Sequence, residues 1–162
     1  MKKTKRLIYL ISPNKFEPKT FYHNLSRVFS TYKVSYFQIR FKKENIKNLI
    51  DIGKKTKKIC KKYNVRLIIN DKPHLVEKIG ADGCHIGQND IKLIKIRKIL
   101  KNKIIGVTCH NSIKLARKAI SDGADYIALG SFFSSKTKKV THKANGKIIK
   151  KIRNFSKIPI VL

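Results

Sequence analysis

Two stretches of the chain, Lys78-Ile-Gly-Ala-Asp-Gly-Cys-His85 and Ser121-Asp-Gly-Ala-Asp-Tyr-Ile-Ala128, repeat one pattern that decides the predicted fold. Each stretch places Gly-Ala-Asp between an amphipathic segment and a short apolar run, which is typical of a turn from a helix into a strand. Gly80 and Gly123 are expected to end the helices in the left-handed conformation, which glycine adopts without strain. The repeat therefore indicates a chain built from successive strand and helix units.

Seven short apolar runs rich in Ile, Val and Tyr lie between longer, lysine-rich amphipathic segments. These runs span residues 6–12, 34–40, 65–70, 83–85, 104–108, 126–129 and 158–162. Helical periodicity fills the gaps, for example over 45–63 and 112–121. Buried parallel strands that alternate with helices explain this arrangement. The sequence predicts an α/β fold, a (β/α)8 TIM-type barrel with about seven strands present.

The predicted barrel occupies residues 1–162 as a single domain, because no proline-rich or glycine-serine linker interrupts the chain. The last apolar run reaches Leu162 without a polar residue to end it. We therefore expect a C-terminally incomplete barrel that lacks its last strand and helix. Asp82 and Asp125 of the repeat are expected in turns at the bottom of the barrel, where residues usually serve stability rather than catalysis.

The charge is strongly positive, since 39 Lys and Arg against 9 Asp and Glu give +30, and it predicts an anionic partner. The lysines are spread over every helical segment, whereas a nucleic-acid-binding protein clusters its basic residues on one face. We therefore expect small phosphorylated molecules as partners and no specific nucleic acid. A basic nucleic-acid-binding protein is the alternative hypothesis from another functional class.

The three cysteines form no Cys-x-x-Cys pair, and an odd number suits the reduced thiols of a cytoplasmic protein. The apolar stretch near the amino terminus is too short for a signal-peptide core or a membrane span, so no membrane association is expected. Cys84-His85 and Cys109-His110 offer metal-ligand chemistry, but adjacent residues on a strand face opposite ways. The cysteines are better explained as small core side chains.

Polar residues follow most of the predicted strands, at the carboxyl ends where (β/α) barrels build their active sites. This set comprises Gln38, Arg40, Lys42, Asn70, Asp71, His85, Gln88, Asp90, Thr108 and His110. After the sixth run comes a hydroxyl-rich loop of the kind that can wrap a phosphate, with Ser135, Thr137 and Lys138. The predicted strand ends therefore carry one coherent set of polar groups.

Two of these residues, Asp71 and Asp90, are candidate ligands of a Mg²⁺ ion that would bridge a bound pyrophosphate. A helix N-cap is the alternative for each, because Asp71 stands shortly before Pro73 and Asp90 precedes a predicted helix. Arg40 and Lys42, at alternate positions, would project together and could grip phosphate oxygens. A solvated strand end is their alternative.

These motifs, in this order, resemble the thiamine phosphate synthase family, part of a superfamily that also contains thiazole tautomerases. The resemblance covers nearly the whole chain, and its most specific part is Gly80-Ala-Asp-Gly-Cys-His-Ile-Gly-Gln-Asn-Asp90. The other matching motifs are Gln38-Ile-Arg-Phe-Lys42, Asn70-Asp-Lys72, Gly106-Val-Thr-Cys-His110 and Ser135-Lys-Thr-Lys138.

The resemblance implies a transferase that joins hydroxymethylpyrimidine pyrophosphate to thiazole phosphate, giving thiamine phosphate and pyrophosphate with the help of Mg²⁺. By the same resemblance each site residue receives a role. Asp71 and Asp90 would hold Mg²⁺, Arg40, Lys42 and Lys138 would neutralise the leaving pyrophosphate, Gln38 and Asn70 would contact the pyrimidine, and Thr108, Ser135 and Thr137 would line the phosphate and thiazole region.

The chain departs from the family pattern in a few places. Thr108, Ser135 and Lys72 replace Ser, Thr and Arg, which preserves the hydroxyl groups and the charge. The family continues beyond the last run into an Ala-Ile-Gly-Gly-type segment and a final strand, so activity is expected to be impaired by truncation. A thiazole tautomerase-like protein and a noncatalytic remnant are the alternatives within the superfamily. A homo-oligomer is compatible with each of these hypotheses.

Overall fold

The computed structural model describes residues 7–13, 15–133 and 143–162, in which strands and helices alternate along the chain. The strands are β1 (Ile8–Ile11), β2 (Val34–Ile39), β3 (Arg66–Asn70), β4 (Gly83–Ile86), β5 (Ile104–His110), β6 (Tyr126–Leu129) and β7 (Ile160–Val161). The α-helices are α1 (Phe21–Thr31), α2 (Ile46–Lys62), α3 (Val76–Ile79), α4 (Leu93–Leu100), α5 (Ile113–Ser121) and α6 (Gly146–Arg153), and a 3-10 turn spans Pro73–Leu75. Each of the seven predicted runs overlaps a strand, and β4 and β5 extend one and two residues beyond their runs.

Two compact units make up the chain, one reaching to Gly83 and one beginning at Cys84, within β4. In the first unit β1, β2 and β3 are neighbouring parallel strands, with Leu10 beside Phe37 and Phe37 beside Leu67. Phe37 packs against Phe21 and Phe29 of α1, with ring centroids 6.3 and 5.7 Å away. Helix α1 therefore packs on the side of β2 that carries Phe37.

Helix α2 begins and packs as its sequence pattern predicts. The side chain of Asn45 accepts a hydrogen bond from the N–H of Asn48, which satisfies one free donor of the first turn. The buried stripe of the helix includes Gly53, where a Cβ atom would lie 2.7 Å from the Cδ1 atom of Ile79. Glycine is thus needed for α2 to pack closely against α3.

In the second unit the strand order is β4, β5, β6 and β7, and β5, β6 and β7 run parallel. Gly106 of β5 lies beside Tyr126 of β6. A Cβ atom on Gly106 would lie only 1.8 Å from the Cζ atom of Tyr126. The tyrosine ring therefore occupies the space over β5 that a larger residue at position 106 would fill.

The repeated Gly-Ala-Asp segments build the same turn twice. Gly80 and Gly123 have φ angles of 73° and 93°, so the expectation of left-handed helix ends is confirmed. Asp82 donates its N–H to the carbonyl of Leu67 at 2.9 Å, while its Oδ2 atom accepts the N–H of Leu67 at 2.7 Å. Asp125 makes the same two bonds with Ile105, at 2.9 and 2.7 Å. Each carboxylate thus ties the start of its own strand to the preceding strand.

No helix in the described part of the chain is long and apolar enough to span a bilayer.

Candidate functional site

A cavity of about 150 Å³ lies at the carboxyl ends of β2 and β3 in the first unit. Its lining consists of Ile39, Arg40, Phe41, Lys42, Leu49, Asn70, Asp71 and Lys72. Four of the predicted site residues, Arg40, Lys42, Asn70 and Asp71, therefore share this cavity. With Lys72, the charged lining residues carry three positive charges against one negative charge, a net charge of 3 − 1 = +2. Such a cavity suits an anionic ligand.

The two predicted phosphate-binding cations flank Phe41. The ring of Phe41 is buried against Phe16 and Phe21, with both pairs of ring centroids 5.5 Å apart. This aromatic contact anchors the segment that follows β2. Because Phe41 is held in the core, the segment presents Arg40 and Lys42 from fixed backbone positions.

Asp71 has an unusual backbone conformation for a residue other than glycine, with a φ angle of 58°. Its Oδ2 atom lies 3.9 Å from the Nζ atom of Lys42, and the two side chains are 33% and 61% exposed. An ion pair this long and exposed contributes little stability. A carboxylate in this setting fits a hard cation such as Mg²⁺, which prefers oxygen ligands.

The helix-cap alternative for the two aspartates is wrong. Lys72 and Lys92 occupy the N-cap positions of the 3-10 turn and of α4, and neither element has a side-chain cap. Asp90 instead accepts the N–H of Gly87 through its Oδ2 atom at 2.6 Å, closing a turn after β4. The carboxylate chemistry of Asp90 also fits a Mg²⁺ ligand.

Gln38 is held inside the first unit by its neighbours on β1. The side chain is 3% exposed, and its Nε2 atom donates to the hydroxyl of Tyr9 at 3.2 Å. Ser12 donates its N–H to the carbonyl of Gln38, and its Oγ atom accepts the N–H of Arg40, both at 2.9 Å. The sequence analysis missed Tyr9 and Ser12, although Ser12 directly follows the first strand and the strand-end rule could have found it.

In the second unit His85, Thr108 and Tyr126 form one hydrogen-bonded group. The Nδ1 atom of His85 lies 3.0 Å from the hydroxyl of Tyr126, and the Nε2 atom lies 2.8 Å from the hydroxyl of Thr108. The side chain of Gln88 donates to the backbone carbonyl of Thr108. No functional role was predicted for Tyr126 from the sequence. A buried tyrosine needs a hydrogen-bond partner for its hydroxyl, and that need could have pointed to this residue.

Comparison with known proteins identifies the family. Residues 8–162 match the sequence profile of thiamine monophosphate synthase. A thiamine-phosphate synthase of Pelagibacter ubique is 57% identical over 157 residues, covering 97% of this chain and 76% of the relative. The chain belongs to the thiamine monophosphate synthase family. A second such synthase, from Rhodospirillum centenum, is 32% identical and covers 95% of this chain and 75% of the relative.

The fold of the chain is also similar to that of a solved structure. The solved thiamine phosphate pyrophosphorylase from Pyrococcus furiosus superposes with a TM-score of 0.82 at 23% identity, covering 95% of this chain and 72% of that one. The predicted α/β, TIM-type fold is thereby confirmed. The resemblance drawn from the sequence is also confirmed, and with it the place of the chain among the transferases of thiamine biosynthesis.

Three residues predicted from the sequence motifs lie outside the described residues. They are Ser135, Thr137 and Lys138. The described residues 131–133 follow the end of β6, and the Oγ atom of Ser131 donates to the carbonyl of Phe133 at 2.7 Å. The predicted roles of the three loop residues stay predictions.

The cysteines of this chain are core side chains. All three are fully buried, and burial raises the pKa of each thiol to about 12. Within the described ranges no group of three or more His, Cys, Asp or Glu side chains is arranged to hold a metal ion. Both ring nitrogens of His85 have hydroxyl partners, and its neighbour Cys84 is fully buried.

Proposed function

We propose that the chain joins hydroxymethylpyrimidine pyrophosphate to thiazole phosphate, forming thiamine phosphate and releasing pyrophosphate. The observation that carries the proposal is the cavity of net charge +2 at the ends of β2 and β3, lined by Arg40, Lys42, Asn70 and Asp71. A phosphorylated substrate is the partner that such a cavity fits, and no specific nucleic acid is needed to explain it. The reduced, buried cysteines are compatible with a cytoplasmic location.

In the proposed reaction the methylene carbon of the pyrimidine exchanges its bond to a pyrophosphate oxygen for a bond to the thiazole nitrogen. The electron pair of the broken C–O bond leaves on pyrophosphate, so negative charge grows there as the reaction proceeds. Arg40 can contact two phosphate oxygens through its planar guanidinium group, whereas Lys42 acts as a point charge. Positive groups held in place before the reaction lower the barrier, since they need no reorganisation.

The remaining site residues bind and orient the two substrates in this proposal. Gln38 and Asn70 would contact the pyrimidine, and the Tyr9 hydroxyl that accepts from Gln38 limits how its amide can turn. Thr108, with Ser135 and Thr137, would line the phosphate and thiazole region, and Lys138 would join Arg40 and Lys42 at the leaving group. Asp71 and Asp90 would hold Mg²⁺, whose charge, when bound, offsets that of pyrophosphate.

Formation of thiamine phosphate from the two substrates tests the proposal, and Lys42 and Lys43 provide a matched pair. Lys42 lines the cavity, whereas Lys43 is the next residue, is exposed and does not line it. Lys42→Ala is expected to lower kcat by about 10²-fold, in the range of a lost group that stabilises transition-state charge. Lys43→Ala should leave the rate unchanged.

The same assay tests the metal ligands. Activity should require added Mg²⁺, and Asp71→Asn should raise the Mg²⁺ concentration needed for half-maximal activity. A folded chain that neither forms thiamine phosphate nor binds pyrophosphate would overturn the proposal. Isomerisation of the thiazole substrate by such a chain would instead support the tautomerase-like alternative.

A further inference from the structure

We propose that His85, oriented by Tyr126, is a positioning residue that fixes the hydroxyl of Thr108 as a hydrogen-bond donor toward a phosphorylated substrate. The inference rests on the proposed function, because it takes Thr108 to face a phosphate group. His85 and Tyr126 would act through Thr108 and would not themselves need to touch the phosphate.

The imidazole of His85 lies between two hydroxyl groups. His85 is 8% exposed, and its two ring nitrogens each have a hydroxyl partner, Tyr126 on one side at 3.0 Å and Thr108 on the other at 2.8 Å. The rings of His85 and Tyr126 stack with their planes 24° apart. The three side chains come from β4, β5 and β6, so the sheet itself sets their spacing.

The direction of these hydrogen bonds depends on which ring nitrogen carries the proton. A neutral imidazole offers one N–H donor and one acceptor nitrogen, and a hydroxyl donates only one proton. If Tyr126 donates to Nδ1, then Nε2–H donates to Thr108, and the Thr108 proton remains available for another acceptor. If Thr108 instead donates to Nε2, its oxygen offers only lone pairs to a ligand, which a phosphate oxygen would repel.

A phosphorylated ligand therefore selects the arrangement in which Nε2 carries the proton. Protonation of the ring would leave this conclusion intact, because Nε2 would still donate to Thr108. The Thr108 side chain is partly exposed, so its hydroxyl is accessible from outside the packed interior. Gln88 donates to the backbone carbonyl of the same residue, which further restrains Thr108.

Tyr126 is restrained by its packing against β5. Its ring lies over Gly106, where any Cβ atom would collide with it, and it is almost fully buried. The absence of a side chain at position 106 leaves room for the tyrosine to reach His85. A tyrosine in fixed packing can hold the imidazole in one orientation, and this is the condition for a stable direction of the hydrogen bonds.

A double-mutant cycle on thiamine phosphate formation tests the inference. Tyr126→Phe keeps the ring over Gly106 and removes only the hydroxyl. It should lower kcat/KM by about 3- to 10-fold, which is the range of one neutral hydrogen bond. The loss should appear as a higher KM for the phosphorylated substrate. Thr108→Val should lower kcat/KM at least as much, and Thr108→Ser should restore it.

The decisive result is the double variant. If Tyr126 acts through Thr108, Tyr126→Phe should cause no further loss of activity when Thr108 is already valine. Multiplication of the two single losses would overturn the inference, because it would mean that the residues act independently. Tyr32→Phe, at an exposed tyrosine of the first unit, is the matched control and should not change the activity.

A measurement without turnover separates this inference from the proposed function. Nitrogen NMR of the histidine rings, with inorganic pyrophosphate added as the probe, reports which nitrogen of His85 carries the proton. Protonated Nε2 supports the inference even if no thiamine phosphate forms, in which case only the proposed function fails. A ring protonated at Nδ1 alone would overturn the inference in an active enzyme as well.

Discussion

Replacement of Asp82 by alanine should cost far more stability than replacement of Asp122, although both carboxylates contact a lysine at nearly the same distance. The Nζ atom of Lys57 lies 2.7 Å from Asp82, and that of Lys118 lies 2.8 Å from Asp122. The difference lies in the backbone, since the same Oδ2 atom of Asp82 also accepts the N–H of Leu67 at 2.7 Å. Leu67 is fully buried.

The expected magnitude follows from these contacts. Loss of the acceptor leaves a buried N–H unsatisfied, which costs about 1–3 kcal/mol. The partly exposed ion pair with Lys57 adds at most about 1 kcal/mol. Asp82→Ala should therefore lower the free energy of unfolding by about 1–4 kcal/mol, or Tm by roughly 2–16 °C. Asp122→Ala removes an i,i+4 pair and should cost no more than about 0.5 kcal/mol.

Urea unfolding followed by circular dichroism at pH 7 measures both values. Asp82→Asn should fall between the wild type and Asp82→Ala, because the amide oxygen can still accept from Leu67 while the charge is lost. Equal losses for Asp82→Ala and Asp122→Ala would refute the reasoning, since they would show that the backbone contact contributes nothing.

Gly106→Ala should lower the urea midpoint strongly, by the equivalent of about 1–3 kcal/mol or more, because its Cβ collides with Tyr126; a midpoint near that of the wild type would contradict this packing. Thr56→Val should raise the urea midpoint, by the equivalent of up to about 1 kcal/mol in the free energy of unfolding, since the buried Thr56 Oγ1 atom has no hydrogen-bond partner among the described residues. The three cysteines should resist a thiol reagent until the chain unfolds. Because their pKa is raised to about 12, the stability they contribute is complete below the unfolded value, near 9, and falls as pH rises toward 12, by up to about 1.4 kcal/mol per thiol per pH unit. A midpoint that does not fall between pH 8 and pH 11 would count against this burial. Random duplex DNA should not bind at about 150 mM salt, as a gel-shift titration can check, if the charge of +30 is a general bias.

Much of the fold could be predicted because its signals are local. Each of the seven strands overlaps one of the apolar runs. The predicted helix 112–121 corresponds to α5 with Ser112 as its N-cap, which accepts the N–H of Leu115. The least accurate prediction was the last strand, where the run 158–162 contains only the two paired residues Ile160 and Val161. Hydrophobicity indicates burial, but strand length depends on which neighbours offer hydrogen bonds.

In the candidate site, too, the residues with local sequence signals could be predicted, and the contacts between distant residues could not. Arg40, Lys42, Asn70 and Asp71 could be named from the sequence because a site at strand ends needs only the order of polar residues along the chain. The contacts of Ser12 with Arg40 and of Tyr9 with Gln38 could not, since they depend on the register between β1 and β2. Register is set by pairing across distant parts of the chain, which no local pattern specifies.

By itself the sequence determined the strand and helix units, the left-handed glycines of the repeated turn and the family to which the chain belongs, because each depends on a few adjacent residues. Only the tertiary structure decided that Asp71 and Asp90 cap no helix, and that Tyr126 lies over Gly106 with its hydroxyl on His85. Gly106 and Tyr126 stand 20 positions apart and meet only through the parallel pairing of β5 and β6. A side chain's partner is a property of packing, and packing joins residues that the chain itself keeps apart.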